Sequence, residues 1–205
     1  MRSQPARVAE ALLAEGRVRV LAAGEWAQGE GDPAAGLVGV LHGRLGVETS
    51  TGADATALID IVHPGMWLGQ AAIGGGGPRI VTLRALAPAR VLRVPQAALM
   101  RIGRDHPSLW QGVSALMYGQ LQAMVRTTAW LLATPPANRL PRRLLMLATG
   151  DPPVVEASQT ELAELCGLSR KAVNERLGAL AAAGLIRRGY RRVDLLDRAG
   201  LAQIA

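Results

Sequence analysis

The sequence predicts an α+β chain in which an antiparallel β-sandwich or barrel is followed by a long helix and a winged helix-turn-helix. Three observations carry this. Short apolar runs punctuated by glycine fill residues 18–94, and apolar residues then recur by threes and fours from Pro107 to about Ala133. Ser158–Leu180 reads as two helices around a glycine turn. With 205 residues and 49% hydrophobic content the chain can bury a core, and its length allows one or two domains.

Ser158 and Glu161 stand at capping-box spacing, so a first helix begins there, with Leu162, Ala163 and Leu165 on its apolar side. Gly167 breaks the pattern and can take the positive φ that a turn between crossed helices needs. Ser169 restarts it as an N-cap, and Val173, Leu177 and Leu180 form the buried stripe of a second helix. Small Ala163, Gly167 and branched Val173 are at helix-turn-helix offsets, which send the second helix into a major groove by its N-terminal end. Arg170, Lys171, Asn174 and Glu175 face away from the stripe. Arginine and lysine suit guanine O6/N7, asparagine suits adenine N6/N7, and glutamate can accept from cytosine N4.

Gly184 ends that helix as a C′ residue, and Leu185–Arg188 and Arg191–Leu196 read as two short strands around Gly189-Tyr190, a wing. From Gly167 to Arg192 seven cations stand against one anion, Glu175, a local net charge of +6 out of +7 for the whole chain. Arg187, Arg188, Arg191 and Arg192, with Ser169 at the helix N-terminus, are expected to hold phosphates, which position a protein on DNA without reading it. The alternative is a helical hairpin with a solvated charged face.

Composition narrows the function further. A pI near 11.1 points to an anionic partner. No apolar leader follows Arg2, Arg7 and Glu10, and no run approaches the length of a membrane span, so a cytoplasmic protein with no membrane partner is expected. The single cysteine, Cys166, excludes an internal disulfide, a CxxC site or a cysteine-held iron–sulfur cluster, and it reads as a small buried apolar residue. His42, His63 and His106 show no metal-ligand spacing, no nucleophile–base pair is visible, and neither a metal, a cofactor nor catalysis is expected. Haem held by His42 or His63 is the weaker expectation.

Residues 3–15 predict a short helix. Strands VRVL, GLVGVL, RLGVET and ALIDIV follow, with Gly24, Gly31, Gly36, Gly43 and Gly65 at their turns. In the long helix Trp110, Val113, Met117, Gln120, Met124, Thr127 and Leu131 make a heptad seam, the signature of a two-helix dimer interface. A stripe that packs only on its own barrel is the alternative. Leu109, Leu116, Leu121, Val125 and Leu132 make a second apolar side, which lets the helix do both. Thr134 is expected to cap the next helix with Pro135 at its first position; residues 133–138 read as a hinge, Arg139–Leu147 as a helix and Gly150–Pro153 as a turn.

The stretches QTELAELCGLSRKAVNERLGAL, AAAGLIRR and RRVDLLDRAGL resemble the Crp/Fnr transcription regulators, and LAAGEWAQGEGDPAAGLVGVLHGRL and HPGMWLGQAAI resemble that family's effector domain. The resemblance implies a jelly-roll-like effector-sensing β-barrel over residues 1–106, a dimerisation helix over 107–133 and a winged helix-turn-helix over 134–205. It also implies a homodimer on a pseudo-palindromic duplex site, RNA polymerase as a further partner, and a small effector. Members that bind cyclic nucleotides carry Gly-Glu at the start of a short helix and Arg-Ser/Thr-Ala after a loop. This chain has Gly69 and Arg79 but Gln70 for the acid and Ile80 for the hydroxyl, with Met124 and Val125 where a Thr-Ser pair meets the base. Gly74–Gly77 reads as a surface turn. The effector is therefore expected not to be a cyclic nucleotide; the rivals are a nucleotide-responsive regulator, or a ligand-binding module docking an acidic protein.

Overall fold

The computed structural model describes residues 6–52 and 55–205. The expected first helix is α1 (Ala6–Glu15); the earlier part of that expectation, residues 3–5, lies outside the described residues. Two compact units follow one another, Met1–Met124 and Val125–Ala205.

Among the described residues the first unit holds eight strands: β1 (Arg17–Leu21), β2 (Trp26–Gln28), β3 (Leu37–His42), β4 (Leu45–Gly52), β5 (Ala55–Val62), β6 (Trp67–Leu68), β7 (Thr82–Ala85) and β8 (Ala89–Val94). They form two antiparallel four-stranded sheets, ordered β1-β8-β3-β6 and β2-β7-β4-β5, the double-sheet arrangement of a jelly roll. Between the sheets lies a core of Leu21, Val38, Val40, Leu45, Val62, Leu83 and Val91. Val18 and Val20 of β1 are exposed, whereas over β3 and β8 the first sheet also buries its outer face. There Leu37, Leu92 and Val94 meet Val8 and Leu12 of α1, Leu99 and Ile102 of α3 (Gln96–Asp105), and Leu109 and Val113 of α4 (Ser108–Ala133). Burial on both faces explains why Leu37–Val40 reads as a continuous apolar run instead of alternating; Leu41, next along β3, is exposed.

Gly24, Gly31, Gly36, Gly43 and Gly65 all take positive φ, as their turn positions require. At Gly36 the demand is also steric, because a Cβ there would lie 1.9 Å from the Val94 carbonyl oxygen. A short helix α2 (Gln70–Gly75) ends in the glycine run, with Gly76 as its left-handed C-cap.

In α4 the expected seam is occupied over its first half by the chain's own barrel. Val113 is buried in the helix–sheet core and Trp110 packs against it. Met117 lies against Gly74, and Gln120 donates to the Trp67 carbonyl. The apolar side chains left exposed are Met117, Tyr118, Leu121, Met124, Val125 and Leu132, a stripe rotated toward the second apolar side.

The second unit begins within α4. After it, Pro135 is the extended cap and Pro136 the first residue of a 3₁₀ turn, Pro136–Asn138, so the expected Thr134 cap with Pro135 at the first position is displaced by one residue. Then come α5 (Arg139–Leu147), β9 (Val154–Glu156), α6 (Gln159–Cys166), α7 (Arg170–Ala182), β10 (Ile186–Gly189), β11 (Arg192–Leu195) and α8 (Arg198–Gln203). The wing is a three-stranded antiparallel sheet ordered β10-β11-β9, and β9 is the strand that the Gly150–Pro153 reading did not foresee.

Gly36→Ala is expected to destabilise the barrel by about 3 kcal/mol or more, since it adds a steric clash to a left-handed backbone. Chemical denaturation checks this. A loss within about 0.5 kcal/mol would show that the turn relaxes freely.

Candidate nucleic-acid interface and effector pocket

The capping box forms as its spacing requires: Ser158 Oγ accepts from Glu161 N at 3.2 Å, and Glu161 Oε2 accepts from Ser158 N at 2.8 Å. Gly167 takes φ +62° and its N–H donates to the Glu164 carbonyl, closing α6. Ser169 Oγ accepts from Ala172 N at 3.1 Å and starts α7, so its hydroxyl serves the helix N-terminus. Cys166 is fully buried, and burial pushes its thiol up to about 11 against the opposing charges of Arg143, Arg139 and Arg176. The thiol stays protonated at neutral pH and acts as packing.

Val173, Leu177 and Leu180 are buried, which leaves Arg170, Lys171, Asn174 and Glu175 outward on α7. Lys171 Nζ lies 3.9 Å from Glu175 Oε1, an exposed pair one turn apart. Arg170 lines a groove of about 310 Å³ with Gln159, Arg188, Tyr190, Arg191 and Arg192, so the N-terminal end of α7 and the wing share one basic concavity. Tyr190 stands fully outward at the wing tip.

The four wing arginines are each engaged within the chain. Arg187 Nε and Arg192 Nε donate to the two oxygens of Asp194, at 2.9 and 2.6 Å. Arg191, the one described non-glycine residue with positive φ (+51°), donates to Glu161 Oε1 at 2.8 Å. Arg188 Nη2 donates to Asn174 Oδ1 at 2.6 Å. The expected excess of +6 over residues 167–192 therefore overstates the field at the wing, because Glu161 and Asp194, outside that stretch, bring two carboxylates to its arginines. The hairpin register carried this signal: Arg187 and Asp194 are directly paired across the strands. Hydrogen bonds from Arg192 and Arg187 hold the Asp194 carboxyl below its usual range. Its contribution to stability is present above about pH 4, its unfolded value, and is lost as pH falls through the lowered one.

In the barrel, the residues expected at the effector pocket come together only in part. Arg79 is 4% exposed and its guanidinium donates to two backbone carbonyls, Gly69 at 3.0 Å and Gly36 at 2.6 Å. Burial pushes its pKa down, the charge of Arg93 adds to this, and Asp32 opposes it. Gly69 must be glycine, with φ +99° and a Cβ position 2.1 Å from Arg79 Nη1. Gln70, 2% exposed, donates through Nε2 to Gln120 Oε1, and its own Oε1 is buried without a partner. Ile80 is instead exposed, as are Met124 and Val125. An exposed isoleucine cannot replace a hydroxyl, because its branched carbons offer no donor. Gln120 was expected at a dimer seam; a lone amide among apolar heptad positions was the available sign that it bonds elsewhere.

Among the described residues no three His, Cys, Asp or Glu side chains cluster as metal ligands, and His42 lies exposed at the end of β3. No described helix is long and apolar enough to cross a membrane.

Two domain families match the chain in tandem. Residues 14–106 match the cyclic nucleotide-binding domain, and residues 138–204 match the Crp-like helix-turn-helix domain. The chain belongs to the Crp/Fnr family. Relatives of this Crp/Fnr chain include the CRP-like cAMP-activated global transcriptional regulator of Mycobacterium tuberculosis, 26% identical over 184 residues that span 86% of this chain and 82% of the relative. The transcriptional regulator SdrP of Thermus thermophilus is 27% identical over 175 residues, 81% of this chain and 82% of the relative. FixK2 of Bradyrhizobium japonicum superposes with a TM-score of 0.82 at 18% identity, covering 92% of this chain and 96% of that one, a likeness of fold. The Crp/Fnr chain is thus a transcription regulator of that type, with a cyclic-nucleotide-binding-like domain ahead of its helix-turn-helix.

Asp194→Asn in this Crp/Fnr chain is expected to tighten binding to every duplex alike and to steepen its salt dependence by up to about two phosphate equivalents, since it frees Arg187 and Arg192 from their shared charge. Titrations at several salt concentrations check this. An unchanged slope would mean that the two arginines never meet phosphate.

Proposed function

We propose that the chain is a cytoplasmic, homodimeric, sequence-specific DNA-binding regulator whose effector is neither cyclic AMP nor cyclic GMP. The observation that carries the DNA-binding part is the groove where the N-terminal end of α7 and the wing arginines converge. Major-groove reading by that helix end and phosphate contact by the wing are what this arrangement supports. Arg170 and Lys171 are the leading base readers.

Dimerisation is supported by the exposed apolar stripe of α4. Leu121, Val125 and Leu132 recur at heptad spacing with Thr128, and Leu132 is 84% exposed. A parallel partner helix on this stripe would bury it and set two recognition helices about one helical turn of DNA apart, ~34 Å.

The effector reading rests on how the barrel's polar groups are already used. Arg79 is satisfied by two carbonyls, and Gln70 is neutral and tied to Gln120. Hydrogen bonds involving a charged group are worth about 1.5–3 kcal/mol each, one to two decades of affinity apiece. A nucleotide would lose such contacts at both Gln70 and Ile80. The rival reading, a cyclic-nucleotide-responsive regulator, is favoured by the name of the Mycobacterium tuberculosis relative, which is cAMP-activated. RNA polymerase remains the natural further partner of a regulator of this type.

Duplex selection from a random library by the full chain tests the function. Recovery of a two-fold-related motif, with binding that falls steeply as salt rises, is expected. Leu121→Glu would place two carboxylates across a two-fold axis and is expected to give monomer with weakened operator binding. Sedimentation of an intact dimer would count against the stripe. Cyclic AMP at tens of micromolar is expected to leave the melting temperature unchanged. A saturable rise that Arg79→Ala abolishes would establish the rival.

A further inference from the structure

By residue type Asn174 suits adenine, and Arg188 stands among the four wing arginines expected to hold phosphate. The structure joins them. Asn174 Oδ1 accepts from Arg188 Nη2 at 2.6 Å and from Gln159 Nε2, in the first turn of α6, at 3.2 Å. A guanidinium has donors only, so the atom facing Arg188 must be the amide oxygen, and this settles which way the amide points. A carbonyl oxygen has two lone pairs, and here both are engaged.

What Asn174 has left to offer DNA is its Nδ2–H₂ group. Adenine is read by an amide that donates to N7 while accepting from the N6 amino group. With Oδ1 committed, the second half of that pairing is lost and the amide's donors confront another donor at N6. Guanine presents N7 and O6, two acceptors side by side, while thymine presents O4 alone. We infer that Asn174, locked by Arg188 and Gln159, selects guanine, and that Arg188 is a positioning residue for base reading. This rests on the DNA-binding function proposed above and names its chemistry at one base pair.

The test is duplex selection followed by titration of single-site variants of the winning sequence, using the full chain as Asn174→Ala, Arg188→Ala and Arg188→Lys variants. Asn174→Ala is expected to abolish a guanine preference of about 5- to 150-fold at one position while leaving the other positions as they were. Arg188→Ala frees Oδ1 and is expected to move that same position from guanine toward adenine, with the salt slope kept. Arg188→Lys, whose ammonium also donates, is expected to retain guanine. Both positions are exposed, and equal melting temperatures will show that the variants fold. If Arg188→Ala weakens every duplex alike, lowers the salt slope by about one and leaves base preference intact, Arg188 is a phosphate holder and the inference is overturned. Unchanged selection by Asn174→Ala overturns it as well. If the parent chain shows no salt-dependent duplex binding, the DNA-binding function itself falls and takes this assignment with it.

Discussion

The close crossing of α6 and α7 is the constraint from which the DNA-binding half takes its shape. It depends on Gly167 turning the chain with a left-handed φ, after which the Leu168 N–H reaches back to the Ala163 carbonyl at 2.9 Å. Leu162, Cys166, Val173 and Leu177 then fill the space between the helices without exposure. With α7 so fixed against β10, three side chains distant in sequence, Gln159, Asn174 and Arg188, come within hydrogen-bonding distance. A residue with a Cβ at position 167 would carry the cost of the left-handed backbone, of order 1–2 kcal/mol, and would shift this alignment before any DNA contact was made.

Arg139 extends the constraint backward along the chain. Its guanidinium donates to the carbonyls of Leu131 and Thr134, at the end of α4, and to the carbonyl of Cys166, at the end of α6. Both are C-terminal helix ends, where orphan carbonyls and the negative end of the dipole favour a cation. The last turns of α4 are thereby tied to the helix-turn-helix, and the compact second unit starts at Val125. The expected hinge at residues 133–138 therefore lies inside that unit. Pro135 and Pro136 bend the chain there, but Arg139 bridges the bend.

Elements whose signal is local were legible in the sequence. The capping box, the Gly167 and Gly184 caps, the barrel glycines and the start of α5 at Arg139 all follow from short-range backbone chemistry. What escaped was pairing across distance. Gln120 was placed at an intermolecular seam because it sits on the apolar stripe, yet it bonds Gln70 and Trp67, some fifty residues away. Strand β9 was missed because three residues between prolines and a serine cap are too few to show alternation. The wing's charge was misjudged for a related reason. A count over consecutive residues cannot see that Asp194 faces Arg187 across a hairpin, or that Glu161 spends one oxygen on its cap and the other on Arg191.

One physical rule runs through both units: a guanidinium brought against the protein finds an acceptor in the protein, and the kind of acceptor decides how readily it can be given up. Arg79 is buried against the carbonyls of Gly36 and Gly69, groups that would be left without a partner if it moved, at about 1–3 kcal/mol each. An incoming phosphate would have to repay that before contributing affinity. Arg187 and Arg192 of the wing meet Asp194 with their own side chains exposed, where ion pairs contribute little and are screened by salt. A polyanion whose charges repeat along its length can displace such pairs at small cost. Arg79 is thus committed to the fold, while Arg187 and Arg192 are held only by a pair that a polyanion can replace, and this difference favours anion binding at the C-terminal groove over the barrel.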